Sequence, residues 1–317
     1  MTPAITKDLL LERHEIIKPF IHNTPVLTST YFNTQAGCEI YFKCENFQKM
    51  GAFKMRGAAN AMSSLTDEQK SRGVVTHSSG NFAQAVALSA ARMGVTAYIV
   101  MPENAPIVKK EAVRGYGGIV IECESTAIAR ERTAEQIRQE KEATFLHPSN
   151  DLDVIIGQGT AAIELLEEYP DLDYILTPVG GGGLIAGTCL VCHHLSDHAK
   201  AIGVEPENVD DAYRSLQAGE IMLNHNDESS TIADGLRTFL GDINFPIIQE
   251  HIDQILLVSE NEIVATLRDV YERMKIIIEP SCAVPIAGLL RNKSMFKGKK
   301  VGVILSGGNV DVTNLPF

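Results

Sequence analysis

The sequence predicts an α/β protein with two open, twisted sheets whose mostly parallel strands are covered by helices. Short apolar segments rich in β-branched residues alternate with longer amphipathic segments along most of the 317 residues. Apolar strands that alternate with helices are typical of parallel sheets buried on both faces. The chain contains 11 Phe, 8 Tyr and no Trp, so we expect an aliphatic core.

The individual elements follow from this alternation. Short segments bounded by glycine or proline are predicted to be strands. The strand segments are Glu39 to Cys44, Gly73 to His77, Thr96 to Val100, Ile119 to Cys123, Tyr174 to Val179, Ala201 to Glu205, Ile255 to Ser259 and Val301 to Leu305. The clearest helical segments between them are Asn81 to Met93, Thr126 to Ala143, Gln158 to Tyr169 and Glu260 to Met274.

Two domains are expected from the spacing of these elements. Four strand–helix units between Gly73 and about Pro148 predict a small, mobile domain over residues 74–150. Residues 1–66 and 151–317 then form a larger domain, with a glycine loop at its middle. Ligands in such folds bind at the carboxyl ends of the strands, so the loops that follow strands carry the functional predictions.

Composition excludes several classes of function. A net charge of −12 argues against a nucleic-acid partner, because binding phosphates requires a basic face. No apolar segment approaches the ~18 residues of a spanning helix, and the N-terminus lacks the apolar core of a signal peptide. We therefore expect no membrane contact and a cytoplasmic location. The six cysteines are too scattered for a disulfide framework.

One cysteine pair matches a known sequence motif. Cys189, Cys192 and His193 match the C-x-x-C-H pattern of covalent haem attachment, and His194 and His198 invite a zinc interpretation. The segment nevertheless continues an apolar stretch after the glycine loop. We therefore predict a packed helix here.

Lys54 directly follows an aromatic residue, Phe53. A primary amine held against an apolar ring is desolvated, which lowers its pKa and makes it a better nucleophile and base. Such an amine can form a Schiff base with an aldehyde cofactor. A Phe-Lys pair alone more often marks a surface lysine at the start of a helix, so the interpretation depends on the rest of the chain.

Polar loops follow two of the predicted strands. In the first, Ser78, Ser79 and Asn81 precede a helix, where they can either receive an anion or cap the helix. In the second, Ser306 lies at the tip of the last strand beside two glycines, which suits contact with a planar ring. Glu279 follows an apolar segment, and a carboxylate in that position is either paired or functional.

A tetraglycine loop follows the predicted strand that begins at Tyr174. Without side chains, the backbone N–H groups can close around a phosphate at the positive end of a helix dipole. The four residues are Gly180, Gly181, Gly182 and Gly183. The same loop also fits G-x-G-x-x-A, and Glu205 ends the next strand as a ribose-binding acid would. A nicotinamide enzyme is therefore the alternative at this point.

The ordered set of motifs resembles the pyridoxal-phosphate enzymes of the tryptophan-synthase β type, within which serine racemases and short serine/threonine dehydratases are most similar. The likeness extends over nearly the whole chain and favours these enzymes over the nicotinamide alternative. It is carried by Lys54 after Phe, Ser79-Gly80-Asn81, the tetraglycine loop, Ile232-Ala233-Asp234-Gly235, Glu279-Pro280 and Ser306-Gly307-Gly308-Asn309.

The resemblance implies a role for each motif. Lys54 resembles the Schiff-base lysine of pyridoxal phosphate, and Phe53 lies beside the cofactor ring. Asn81 resembles the amide that binds the phenolic oxygen, and Ser306 the hydroxyl that faces the pyridine nitrogen. A hydroxyl leaves that nitrogen largely neutral, which favours loss of a β-leaving group over transamination. The remaining implied cofactor contacts are Gly180, Gly181, Gly182, Gly183, Gly235 and Glu279.

The segment after Glu205 resembles the divalent-cation loop of the same family. The resemblance implies that Glu205 and Asp211 supply carboxylates and that Val209 supplies a backbone carbonyl. Hard oxygen ligands of this kind suit Mg²⁺, Ca²⁺ or Mn²⁺. An exposed acidic turn is the structural alternative.

The resemblance implies an ammonia-lyase, or dehydratase, that converts L-serine, L-threonine or 3-hydroxyaspartate to a 2-oxo acid and ammonia. Lys54 and Ser79 would move protons on opposite faces of the substrate, and Ser78, Ser79 and Asn81 would bind it. A serine racemase with dehydratase side activity is the second reading, and a catalytically weak amino-acid sensor the third. We expect a homodimer.

Two positions depart from the racemase pattern. Phe82 stands where racemases carry a histidine, and Thr126 where they carry an arginine. Losing a charged donor typically costs about 1.5 to 3 kcal/mol in such contacts. We therefore expect the substrate preference to differ from that of the racemases.

Overall fold

The computed structural model describes residues 5–224 and 231–317. Its strands are β1 (Val26–Leu27), β2 (Glu39–Cys44), β3 (Val74–His77), β4 (Ala97–Pro102), β5 (Ile119–Cys123), β6 (Thr144–Phe145), β7 (Tyr174–Pro178), β8 (Lys200–Pro206), β9 (Ile252–Val258) and β10 (Lys300–Leu305).

Helices separate most of these strands. They are α1 (Lys7–Ile17), α2 (Thr30–Ala36), α3 (Lys54–Ser63), α4 (Asp67–Arg72), α5 (Asn81–Met93), α6 (Ile107–Gly115), α7 (Ala127–Lys141), α8 (Leu152–Glu168), α9 (Gly183–Leu195), α10 (Asp211–Ala218), α11 (Asn244–His251), α12 (Glu260–Asp269), α13 (Pro280–Arg291) and α14 (Lys293–Phe296). Within the described ranges, none of them is long and apolar enough to cross a membrane.

Two separate sheets form the framework, which confirms the predicted fold class. The larger sheet has the strand order β1-β2-β10-β7-β8-β9, and only the short β1 runs antiparallel to its neighbour. The smaller sheet has the order β5-β4-β3-β6 and is parallel throughout. Apolar clusters cover both faces of the larger sheet, one including α8 and α9 and the other including α13.

The smaller sheet differs from the prediction of four strand–helix units. Three helices, α5, α6 and α7, connect its four strands, and the two-residue β6 leads directly towards α8. Helix α8 packs against α9 and belongs to the larger sheet. The proposed boundaries at residues 66, 74 and 150 remain a prediction.

Helix α8 begins earlier than the periodicity suggests. Asp151 caps its first turn by accepting hydrogen bonds from the backbone N–H groups of Asp153 and Val154. The glycines inside it are required by close packing, since a Cβ at Gly157 would lie 2.6 Å from the carbonyl oxygen of Arg56. The glycine-rich sequence therefore lies inside the helix.

The structure corrects one further helix prediction and confirms another. The predicted helix from Glu260 to Met274 is α-helical only to Asp269 and finishes as a π-helical turn, Val270–Met274. Cys189 and Cys192 lie buried inside α9 as free thiols, so the packed-helix prediction is confirmed.

Candidate active site

Lys54 starts α3 at the carboxyl end of the larger sheet. The backbone N–H of Phe53 donates to the carbonyl oxygen of Ser306 at 2.9 Å, and Ala52 forms an antiparallel bridge with Gly307. These bonds join the lysine segment to the loop after β10. Two motifs that are about 250 residues apart in the sequence therefore form one wall of a cleft.

The amine of Lys54 is held in a largely apolar setting. Its Nζ donates to the carbonyl oxygen of Pro148 at 2.8 Å. It lies 5.0 Å from the ring centroid of Phe53 and 5.7 Å from that of Phe82. Desolvation lowers the pKa of Lys54 to about 8, with Glu279 opposing the shift. A substantial fraction of the amine is therefore neutral near pH 8.

The Ser79 loop connects β3 to α5 on the smaller sheet. The backbone N–H of Gly80 donates to the Ser78 hydroxyl at 3.3 Å, whereas the Ser79 hydroxyl bonds to no described residue. Phe82, in the first turn of α5, brings the helix close to the Lys54 amine. Ser79 is thus available to a molecule in the cleft.

Asn81 links the two sheets across the cleft. Its Nδ2 donates to both carboxylate oxygens of Glu279 at 3.1 Å, and its Oδ1 accepts from Asn309 at 2.9 Å. Burial raises the pKa of Glu279 to about 7, and the Asn81 bonds counter that rise. The side chain of Asn81 is therefore fixed by partners on the larger sheet.

The tetraglycine loop follows β7 and leads into α9. No described residue accepts a hydrogen bond from the backbone N–H groups of Gly180 to Gly183. A Cβ at Gly181 would lie 2.4 Å from the Ser149 hydroxyl, and Gly182 has a positive φ of 81° that favours glycine. The loop therefore presents unpaired donors at a helix N-terminus, where an anion is favoured.

Ser306 is buried at the end of β10. Its hydroxyl lies 3.4 Å from the thiol of Cys282, which also exchanges hydrogen bonds with the backbone of Gly307. Burial raises the pKa of the Cys282 thiol, so the group beside Ser306 is neutral. On the same side of the cleft, a Cβ at Gly235 would lie 3.0 Å from the Ser281 hydroxyl.

The predicted metal residues form a second buried group at the end of β8. The carboxylate of Glu205 accepts from the backbone N–H groups of Ala212 and Tyr213 at 3.1 and 2.7 Å. Asp211 accepts from Asn224 at 2.7 Å through Oδ1, while its buried Oδ2 has no partner. Val209 lies in the turn Glu207–Val209 between them.

The two carboxylates strongly disfavour ionisation together. Burial raises the pKa of Asp211 to about 7, and burial with repulsion from Asp211 raises that of Glu205 well above its usual range. In the described ranges, no cluster of three or more His, Cys, Asp or Glu side chains is arranged to hold a metal. A cation here requires backbone oxygens or water as additional ligands.

Thr126, where the racemase pattern has an arginine, begins a helix. This exposed residue is the N-cap of α7, and its hydroxyl accepts from the backbone N–H of Ala129 at 3.1 Å. Arg130, one turn further on, is half-buried, and its guanidinium forms no salt bridge with a described residue. Burial lowers the pKa of His77, at the end of β3, and the positive charge of Arg130 lowers it further. The difference in substrate preference expected from Thr126 remains a prediction.

Other site residues escaped the sequence interpretation. Asn244 donates to the carbonyl oxygens of Gly181 and Ser149 at 2.8 and 3.0 Å, which braces the glycine loop. His147 accepts from the backbone N–H groups of Ser149 and Asn150 through Nδ1, and burial lowers its pKa to about 4. A polar stretch after a strand is the only sequence signal for His147, and Asn244 has none.

Comparisons with known proteins agree with this geometry. The model of the pyridoxal-phosphate dependent enzyme family matches residues 17–307. A serine racemase of Dictyostelium discoideum is 49% identical over 99% of this chain and 98% of its own length. A beta-hydroxyaspartate dehydratase of Paracoccus denitrificans is 46% identical over 98% of both chains.

A solved structure agrees as well. The crystal structure of the serine racemase from Dictyostelium discoideum has a TM-score of 0.93 and 50% sequence identity, covering 97% of this chain and 99% of that one. The fold thus has a counterpart along nearly the full chain. The protein is a member of the pyridoxal-phosphate-dependent enzymes of the tryptophan-synthase β fold.

Proposed function

We propose that this protein is an ammonia-lyase that converts a 3-hydroxy amino acid to a 2-oxo acid and ammonia. The observation that carries the proposal is the Lys54 amine, which has a lowered pKa, lies between two aromatic rings and is joined to the Ser306 loop. A dehydratase among the relatives supports the same reaction class.

The cleft fits pyridoxal phosphate. Lys54 would hold the aldehyde carbon, and the unpaired N–H groups of Gly180 to Gly183 would hold the phosphate. Ser306, beside a neutral thiol, would face the pyridine nitrogen without charging it. Phe53, Asn81, Gly235 and Glu279 would complete the cofactor contacts. When bound, the cofactor supplies an electron sink that stabilises negative charge at the substrate α-carbon.

The chain's own groups move the protons. With its pKa lowered to about 8, Lys54 Nζ can accept the α-proton as a general base near neutral pH. Loss of the β-hydroxyl as water then leaves an enamine, which hydrolyses to the 2-oxo acid and ammonia. Ser79 Oγ, which has no described partner, is free to deliver or remove a proton from the other side.

Substrate carboxylates have two candidate receptors on the smaller sheet. Ser78, Ser79 and Asn81 lie at the N-terminus of α5, where an anion is favoured. Arg130, with no described salt-bridge partner, offers a guanidinium close to His77. An arginine binds carboxylates in a bidentate geometry, so we propose that it contributes to substrate binding.

We propose a divalent cation, Mg²⁺ or its close equivalents Ca²⁺ and Mn²⁺, at Glu205, Asp211 and the carbonyl of Val209. The support is the buried, unpartnered Oδ2 of Asp211 beside a second buried carboxylate. A cation would offset the burial that raises both pKa values and the repulsion from Asp211 that adds to the shift of Glu205. Chelation should therefore lower the melting temperature of wild type more than that of Asp211→Asn.

A serine racemase is the second candidate, favoured by the free Ser79 hydroxyl and by the racemase relative. Phe82 weighs towards the lyase, since it replaces a polar group next to Lys54. A homodimer and a cytoplasmic location remain proposals based on the family resemblance. Sedimentation tests the homodimer, and cell fractionation tests the cytoplasmic location.

A substrate panel tests the proposal. L-serine, D-serine, L-threonine and L-threo-3-hydroxyaspartate are incubated separately with the cofactor-loaded protein, and 2-oxo acid and enantiomers are measured. We expect 2-oxo acid from at least one L-substrate at a higher rate than enantiomer. Enantiomer without 2-oxo acid would instead establish the racemase. Neither product from any substrate would reject both enzymes and favour the amino-acid sensor.

A further inference from the structure

An exposed ion pair crosses the mouth of the cleft. Lys109 Nζ, on α6 of the smaller sheet, lies 3.4 Å from Asp234 Oδ2, which is on the larger-sheet side of the cleft. The side chains are 36% and 58% exposed. The pair is therefore within reach of solvent, whereas the Asn81–Glu279 hydrogen bonds are only partly accessible and Glu279 itself is buried.

Both ends of the pair are attached to elements that carry the reaction. Helix α6 follows β4, which pairs with β3, and β3 leads into the Ser79 loop. Asp234 opens the turn Asp234–Leu236, and a Cβ at Gly180 in the glycine loop would lie 2.8 Å from Cα of Leu236. The pair thus joins a helix next to the Ser79 loop to a turn that packs against the glycine loop.

We propose that Lys109 and Asp234 form an interdomain clasp that holds the Ser79 loop against the Lys54 side of the cleft. Both are positioning residues, because they act through the groups they hold in place. Only the kinetic part of the test depends on the proposed function. The clasp itself can be measured in the cofactor-loaded protein without turnover.

The clasp also acts on the buried Glu279. Besides burial, which raises its pKa, the groups that influence this carboxylate are Asn81, Asp234, Lys109 and the backbone of Asn309. Glu279 in turn influences Lys54 and Cys282. Lys109 lowers the pKa of Glu279, whereas Asp234 raises it. The two variants that break the same ion pair should therefore shift the titration of Glu279 in opposite directions.

The test compares Lys109→Met and Asp234→Asn with the charge-swapped double variant Lys109→Glu/Asp234→Lys. The control is Arg114→Met, which removes an exposed cation of the same helix whose partners, Glu111 and Glu122, are on the smaller sheet. In the cofactor-loaded protein, amide hydrogen exchange of residues 77–81 should accelerate about two- to fivefold in each single variant, as expected for an exposed pair. The control and the swapped pair should match wild type.

The kinetic readout separates positioning from a general loss of stability. KM for the active substrate should rise about two- to fivefold in each single variant and return in the swapped pair. The pH profile of activity should contain a limb that reports Glu279, which is identified by its loss in Glu279→Gln. The midpoint of that limb should rise by roughly 0.3 pH unit in Lys109→Met and fall by a similar amount in Asp234→Asn.

The contradicting results are specific. Unchanged exchange at residues 77–81 in both single variants would overturn the clasp, whether or not the protein turns over a substrate. If exchange accelerates but the swapped pair does not restore it, direct attraction between the two side chains is ruled out. If wild type turns over no hydroxy amino acid, the proposed function fails, and the exchange result still decides the clasp.

Discussion

At the scale of single residues, the chemistry depends on the environment of the Lys54 amine. Phe53 and Phe82 flank it, and desolvation brings its pKa down to about 8. Phe82 is one of the two residues by which this chain departs from the racemase pattern. An apolar ring at that position is expected to keep water away from the amine and so to increase the neutral fraction.

Replacing Phe82 with Asn should therefore raise the pKa of Lys54 towards its usual value, because a polar side chain admits water and stabilises the charged amine. The measurement is the pH dependence of Lys54 modification by an amine-selective reagent in the cofactor-free protein, with Phe145→Asn as the control aromatic change. A midpoint that stays near pH 8 in Phe82→Asn would show that this ring does not desolvate the amine.

Asn244 is the residue whose role is least visible in the sequence. It donates hydrogen bonds to the carbonyl oxygens of Gly181 and Ser149, and these bonds brace the glycine loop. Asn244→Ala should weaken cofactor binding about 10- to 100-fold, the effect of losing hydrogen bonds worth about 1.5 to 3 kcal/mol in total. Fluorescence titration with pyridoxal phosphate measures it.

A matched control for this variant is Asn292→Ala, which removes an amide that bonds Gly288 at the far end of α13. Equal cofactor affinity in Asn244→Ala and wild type would contradict the bracing role.

At the scale of elements, the loops after parallel strands carry the site. The Lys54, glycine and Ser306 segments stand out in the sequence because each is a short local motif, and their roles remain predictions. The equivalence of Thr126 to the racemase arginine is also still a prediction, and Arg130 lies one turn further along α7. Asn244 reaches the glycine loop only through packing of α11 against α9, so no local pattern reveals it.

The segment from β8 into α10 carries a pH-dependent part of the stability. The pKa of Asp211 is raised to about 7 in the folded chain, so the folded state binds more protons than the unfolded state between about pH 4 and pH 7. The contribution of Asp211 to the free energy of unfolding is complete below about pH 4 and is lost as the pH rises through 7. The contribution is at most roughly 4 kcal/mol.

The expected result is a melting temperature of the metal-free protein that falls between pH 5 and pH 8, with a smaller fall in Asp211→Asn. Added Mg²⁺ should also reduce the fall in wild type. Calorimetry of the three samples, which are metal-free wild type, metal-free Asp211→Asn and wild type with Mg²⁺, measures these changes. Identical pH dependence in wild type and Asp211→Asn would contradict the assignment of that titration to Asp211.

At the scale of the whole molecule, the candidate site draws residues from two mostly parallel sheets. The larger sheet supplies Lys54, the glycine loop, Glu279 and Ser306, and the smaller sheet supplies the Ser79 loop and Arg130. Bonds from Asn81 to Glu279 and Asn309 cross the cleft. Under the proposed function, we therefore expect residues of both sheets to decide which amino acid reaches the Lys54 amine.

The central claim is that Lys54 is the cofactor lysine, and borohydride reduction tests it most directly. The protein is loaded with pyridoxal phosphate, reduced, digested and analysed by mass spectrometry. We predict that the phosphopyridoxyl mass is found on the peptide containing Lys54 and is absent from Lys54→Ala. Modification of another lysine in wild type, or retention of the same modification in folded Lys54→Ala, would contradict the account.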